Sequence, residues 1–116
     1  MIQNNTDCIF CRIINKEIPA KAIYEDDLMI AFYDIKPKAK VHVLLVPKKH
    51  IKSLADTTPE DKEIIGQLLG RVRSLAEKLG IAEGFNIVIN NGVQAGQAIP
   101  HLHLHILSGW KYRDEL

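Results

Sequence analysis

The chain has no apolar run approaching the roughly 18–20 residues that a membrane-crossing helix requires, so a helical membrane span is excluded. It also lacks an excess of charge of one sign. Fifteen Lys+Arg stand against 14 Asp+Glu, for a formal net charge of +1. A dedicated nucleic-acid binder usually shows a basic surplus, so that class is disfavoured. The start, Met1-Ile2-Gln3-Asn4-Asn5-Thr6-Asp7, has neither the basic stretch nor the apolar block of a secretory signal, and a cytoplasmic protein is expected. Cysteine is scarce: Cys8 and Cys11 are the only two, and in that compartment a structural disulfide is disfavoured. There is no G-x-x-x-x-G-K-[ST] and no strand-linked G-x-G-x-x-G, which excludes a P-loop NTPase and a Rossmann domain. Repeats, low-complexity tracts and Gly/Pro/Ser linkers are absent as well.

What is present fits one domain over residues 1–116. A hydrophobic fraction of 47% suffices for one core, and a domain of this length buries about two-thirds of its unfolded surface. Arg113-Asp114-Glu115-Leu116 looks like the K-D-E-L class of retrieval signal. Without an entry signal for the secretory pathway, coincidence is the better reading.

Periodicity predicts a short helix over 8–14 with Asp7 as N-cap, then strands over 22–24 and 28–34 joined through Glu25-Asp26-Asp27. Lys36-Pro37-Lys38-Ala39-Lys40 reads as a loop with exposed lysines, and 41–46 as a β-branched strand closed by Pro47. The clearest helix has Thr58 as N-cap, Pro59 at its first position, apolar residues at helical spacing from Ile64 to Leu79, and Gly80 at its end. Residues 85–90 alternate as a strand, Asn91-Gly92 turns the chain, and 100–107 forms the last strand. The expected class is α+β: a five-stranded antiparallel sheet with two helices packed on one face.

The chemistry is concentrated in His101-Leu102-His103-Leu104-His105-Ile106-Leu107. Strand side chains alternate, so three imidazoles share one face while Leu102, Leu104 and Ile106 enter the core. A merely solvated face does not explain why every outward position is His, when Lys, Thr or Glu would serve. Two chemical readings follow. H-x-H can chelate one metal ion. Alternatively, one imidazole is a nucleophile, since neutral His has an ordinary pKa of about 6.5, and its neighbours stabilise developing charge. His103 has a histidine on either side and is the candidate nucleophile. The preceding Asn90-Asn91-Gly92 and Ala95-Gly96-Gln97 offer turns of the kind that cradle phosphate.

This heptad resembles the H-φ-H-φ-H-φ-φ signature of the histidine triad superfamily, and within it the chain is similar to the small nucleotide-binding branch. The likeness runs through Cys8-Ile9-Phe10-Cys11-Arg12-Ile13-Ile14, Glu17-Ile18-Pro19-Ala20, Phe32-Tyr33-Asp34-Ile35, Pro47-Lys48-Lys49-His50-Ile51 and Gly96-Gln97, in the expected order. It implies a homodimer in which two five-stranded sheets make one ten-stranded sheet. It also implies hydrolysis of purine nucleoside 5′-phosphoramidates, with an AMP- or GMP-type ligand, through a nucleotidylated histidine. By the same resemblance His103 is the nucleophile, with His101, His105 and His42 as catalytic partners. Asp34 takes the ribose hydroxyls, Ile9, Phe10, Ile13, Phe32 and Ile35 line the base pocket, and Asn90, Gly96 and Gln97 sit beside ribose and phosphate. An apolar pocket with one carboxylate suits a nucleoside. Catalysis needs no cofactor on this reading.

Two features depart from the pattern. Ala98 stands where relatives often carry Ser, a lost hydrogen bond of roughly 0.5–1.5 kcal/mol, which implies slower turnover. The tail after Leu107 is short, with Trp110 as its only large aromatic besides Tyr112. Cys8, Cys11, His50 and His101 make a Cys2His2 set suited to tetrahedral zinc; the resemblance implies a structural zinc, as in several bacterial-type relatives with this pattern, while other relatives lack the cysteines. A pair of buried thiols on an apolar helix is the alternative. Other functions compatible with the sequence are dinucleoside polyphosphate hydrolysis and a nucleotide-sensing scaffold dimer with residual catalysis.

Overall fold

The computed structural model describes residues 7–109; Trp110 and the Arg113-Asp114-Glu115-Leu116 tail lie outside them. In chain order the elements are α1 (Ile9–Ile14), β1 (Ala22–Glu25), β2 (Met29–Tyr33), β3 (Val41–Pro47), α2 (Lys62–Leu79), β4 (Asn86–Val88) and β5 (Leu104–Ser108), with single 3₁₀ turns at Leu54–Asp56, Pro59–Asp61 and Val93–Ala95. The five strands form one sheet in the order β1-β2-β3-β5-β4, every pairing antiparallel. This is the expected α+β architecture.

The helices do not share a face. Met29, Ala31, Val43, Leu45, Leu104 and Ile106 pack with Leu68, Val72 and Leu75 of α2. The alternate residues Ile30, Phe32, Leu44 and Val46 pack with Phe10, Cys11, Ile13 and Ile14 of α1. The expectation of helices on one face is therefore corrected. β2 and β3 are buried on both sides, and their apolar runs, residues 29–32 and 43–46, record it, where a one-sided strand would alternate.

Local chemistry explains the element ends. At the β1–β2 turn the Asp26 carboxylate accepts the N–H groups of Leu28 and Met29 and the Tyr24 hydroxyl, an Asx turn that closes the hairpin. Cys8, not Asp7, caps α1: its Sγ accepts the Cys11 N–H at 3.3 Å. α2 is entered as expected through Thr58-Pro59, whose Thr58 N–H donates to Asp61 Oδ2 at 2.9 Å, although its first turn is 3₁₀ and the α-helix begins at Lys62. Gly80 ends it at φ 76°, a conformation cheap only for glycine.

The last strand also differs from expectation. β5 starts at Leu104, so His101 and His103 precede the ladder. Leu102 N–H donates to Ile51 O, outside the sheet, and His101 N–H donates to Ile99 O. The alternation survives this: Leu102, Leu104 and Ile106 lie in the α2-side core, and His105 is paired with Leu44 of the α1 side. No helix among the described residues is long and apolar enough to cross a membrane.

Candidate functional site

On the α1 side of the sheet lies a cavity of about 620 Å³, within the range of small-molecule sites. Ile9, Phe10 and Ile13 of α1 form one wall, and Phe32, Leu44 and Leu107 form the floor with Ile18 and Ile99 nearby. Of its polar lining, Asp34, His42, His103 and His105 cluster together. Asn90, Gly96 and Ala98 also line the cavity. The walls are apolar because β2 and β3 present residues to α1 that would otherwise be core.

The tautomers of the buried histidines follow from their partners. The Lys38 backbone N–H can only donate, and it points at His42 Nδ1 at 3.1 Å. His42 therefore carries its proton on Nε2, which faces His105 Nδ1 at 2.9 Å. His105 Nδ1 is then the acceptor, and its proton sits on Nε2. His103 Nδ1–H donates to the His101 carbonyl at 2.7 Å, which leaves the Nε2 lone pair of His103 unprotonated. The rings of His103 and His105 are 4.9 Å apart, centroid to centroid. Burial pushes the His42 and His103 pKa values down, in both cases against a smaller opposing effect of Asp34. His105 is pushed down to about 4, first by burial and then by the charges of His103 and His42. The three imidazoles are thus neutral near pH 7.

A second centre adjoins the first. Cys8 Sγ lies 3.3 Å from His101 Nδ1, Cys11 Sγ lies 3.2 Å from His50 Nδ1 and 3.6 Å from His101 Nδ1, and the two Nδ1 atoms are 3.1 Å apart. Tetrahedral zinc with its usual sulfur and nitrogen bond lengths separates its ligands by about 3.3–3.8 Å, so these four separations lie within tenths of an ångström of that range, and all four ligand atoms lie within 4.8 Å of one another. The tautomer fits too. His101 Nε2–H donates to the Pro47 carbonyl at 2.8 Å, which turns the Nδ1 lone pair toward the thiols. The cysteines are not disulfide-linked, and Cys8 Sγ also accepts the Cys11 N–H.

Asp34, His42 and His105 also come within 4.8 Å of one another, but their chemistry does not suit a cation. His42 Nδ1 already accepts the Lys38 N–H, so ligation through Nε2 would demand an imidazolate. The Cys2His2 set passes this test and the Asp34 set does not.

The pattern that defines the HIT domain matches residues 15–112. The chain belongs to the HIT family. An uncharacterised HIT-like protein of Synechocystis is 53% identical over 103 residues, covering 89% of this chain and 90% of that protein. A histidine triad protein of Clostridium difficile superposes with a TM-score of 0.91 at 40% identity, covering 98% of this chain and 100% of the other. A HIT family hydrolase of Legionella pneumophila does so at 0.89 and 39%, covering 93% and 97%.

Of the residues that the HIT resemblance singles out, Ile9, Phe10, Ile13, Phe32, Asp34, Ile35, His42, Asn90, Gly96, His103 and His105 border the cavity. Two do not. His101 is fully buried with its ring in the cysteine cluster. Gln97 is held by main chain: its Oε1 accepts the Gly92 N–H, and its Nε2 donates to the carbonyls of Lys52 and Ile99. Sequence reasoning missed the Lys38 N–H and the His101 carbonyl, because backbone groups carry no residue-type signal.

Proposed function

We propose that this HIT protein is a nucleotide-binding hydrolase that cleaves purine nucleoside 5′-phosphoramidates through a nucleotidyl-His103 intermediate. The observation that carries this reading is the locked His103 tautomer: Nδ1–H held by the His101 carbonyl, with the Nε2 lone pair left available beside His105. In the proposed reaction His103 Nε2 attacks the α-phosphorus as the phosphorus–nitrogen bond breaks. The departing amine takes up a proton from a water molecule, while the His105 Nε2–H donates a hydrogen bond to a phosphoryl oxygen. The hydroxide so formed attacks the phosphorus of the imidazolium adduct, breaks its bond to His103 Nε2 and releases the nucleoside 5′-monophosphate. The Lys38–His42–His105 chain of hydrogen bonds keeps the His105 proton on the atom that needs it. Asp34, oriented by the Lys36 N–H on its Oδ1 at 2.8 Å, accepts the ribose hydroxyls, and the base stacks among Ile9, Phe10, Ile13 and Phe32.

In this reading Cys8, Cys11, His50 and His101 hold a structural zinc ion, which supplies a cross-link and no step of the reaction. The protein is a homodimer whose two sheets join; β1 and β4 are the edges of the sheet in one protomer. The test is intact-mass analysis after rapid quenching with adenosine 5′-phosphoramidate. A nucleotidyl adduct on His103 is expected. His103→Ala should lose the adduct and turnover by about 10³-fold or more, as for removal of a nucleophile, and keep its affinity for AMP. Retained turnover in that variant overturns the assignment.

A further inference from the structure

His101 belongs to both centres. Its ring stands among Cys8, Cys11 and His50, and its main-chain carbonyl is the group that accepts His103 Nδ1–H at 2.7 Å. The stretch that carries both residues lies before β5 and outside the ladder, so the usual strand bonds do not position it. Its main chain is held by Leu102 N–H on Ile51 O and by His101 N–H on Ile99 O; its side-chain anchors are Leu102, in the α2-side core, and on the site side the His101 ring, tied through Nε2 to Pro47. The other side of the cluster is α1, a helix of six residues. A helix this short is not stable by itself in water, so its anchors decide where it sits. Cys8 caps it and Cys11 lies in it. Phe10, between them, meets His103 edge-on at 5.1 Å and His101 at 5.9 Å. Phe10 is also cavity wall.

Resting on the nucleotidyl-histidine reading above, we propose that the Cys8–Cys11–His50–His101 centre is a positioning device for the reaction, beyond its role in stability. Ligation of His101 fixes the carbonyl that selects the His103 tautomer, and ligation of Cys8 and Cys11 fixes Phe10 against the same ring. His101 and Phe10 are positioning residues; His103 is the residue they serve. Without the cross-link the His101 carbonyl shifts, Nδ1–H of His103 loses its acceptor, and part of the population carries its proton on Nε2, where it cannot attack. The metal content of the protein then governs its turnover with no metal ion in contact with substrate.

The experiment uses the full chain, loaded with zinc and then stripped with a chelator, beside His50→Ala and His50→Cys. His50 touches neither α1 by its backbone nor the cavity wall, and a Cys3His set also suits zinc. The readout on ligand-free protein is the imidazole ¹H–¹⁵N spectrum of His103, with circular dichroism to verify folding. Expected for the stripped protein and for His50→Ala is loss of the single His103 Nδ1–H signal and appearance of both tautomers, with kcat about tenfold lower, the rate equivalent of one net hydrogen bond, and KM changed less. Zinc restores signal and rate to the stripped protein, and His50→Cys keeps both. An unchanged His103 signal with kcat within about twofold in folded, zinc-free protein overturns the proposal. So does unfolding on stripping or in His50→Ala, which makes the centre a stability element alone, and so does a failure to take up zinc. Because the spectrum is read without substrate, it decides the positioning role even if His103→Ala shows that the proposed reaction is wrong.

Discussion

Two backbone groups, the Lys38 N–H and the His101 carbonyl, settle the proton positions at this site. The Lys38 amide leaves His42 one protonated nitrogen and His42 leaves His105 one, with the Asp34 carboxylate 3.5 Å from His42 Nε2 favouring the same tautomer. Burial keeps these rings neutral, which is what a nucleophile and a hydrogen-bond donor both require near pH 7. Ala98 lines the same cavity and offers no hydroxyl. A serine there adds one neutral hydrogen bond to the phosphate or the leaving group. Ala98→Ser is therefore expected to raise kcat about two- to tenfold, measured by steady-state release of amine from adenosine 5′-phosphoramidate. A decrease would place Ala98 away from the reacting phosphate.

The elements that carry the site are short, and side-chain ties fix them. Asp61 is buried at the entry of α2, where its carboxylate receives Lys49 Nζ at 2.6 Å and the Thr58 N–H. The Lys49 hydrogen bond first, and then the Thr58 N–H, hold its carboxyl below the usual carboxylate range. A carboxyl whose folded pKa is depressed stabilises the protein above its unfolded pKa, and that stability is lost as the pH falls through the folded value. Asp61→Asn is accordingly expected to lower the midpoint of denaturant unfolding at neutral pH, with a difference from the parent that shrinks as the solution is acidified below the ordinary carboxylate range. A difference independent of pH would mean that the cap acts by shape alone. At α1 the tie is the Cys2His2 set. About one equivalent of zinc per chain is expected in freshly purified protein, and removing it should lower the melting temperature, because a ligand bound only to the folded state stabilises by mass action. A chain with all four residues intact and far less than one equivalent would contradict this.

At the scale of the molecule, the sheet divides two kinds of packing. The α2 side is a closely packed cluster of aliphatic residues with Met29. The α1 side is left incomplete, and its gap is the cavity. One sheet serves both purposes because β2 and β3 are apolar on both faces. Its edges are β1 and β4, and an unprotected strand edge invites pairing. β4 has only three residues, with Leu69 of α2 half-exposed. The dimer in the functional reading is expected to appear in light scattering as twice the chain mass at micromolar concentration. A monomer with full nucleotide affinity would remove the joined sheet from that reading.

The period-two histidines, the Cys-x-x-Cys pair and the carboxylate of Asp34 were all legible in the sequence, because residue type and spacing are what they consist of. The same holds for the five strands, for Thr58-Pro59 at the head of α2 and for Gly80 at its end: local propensity and periodicity are properties of neighbouring residues. The two helix faces were legible in principle, in the apolar runs of β2 and β3, yet a run does not say which helix covers which side. Only the tertiary structure decided that His101 leaves the cavity for the cysteines, that Gln97 spends its amide on main chain, and that Lys38 and His101 act through backbone atoms. The place of His101 and the Gln97–Lys52 bond rest on contacts 93 and 45 positions apart, where packing geometry alone selects the partner; the Lys38 and His101 bonds are local, four and two positions apart, but their backbone groups carry no residue-type signal.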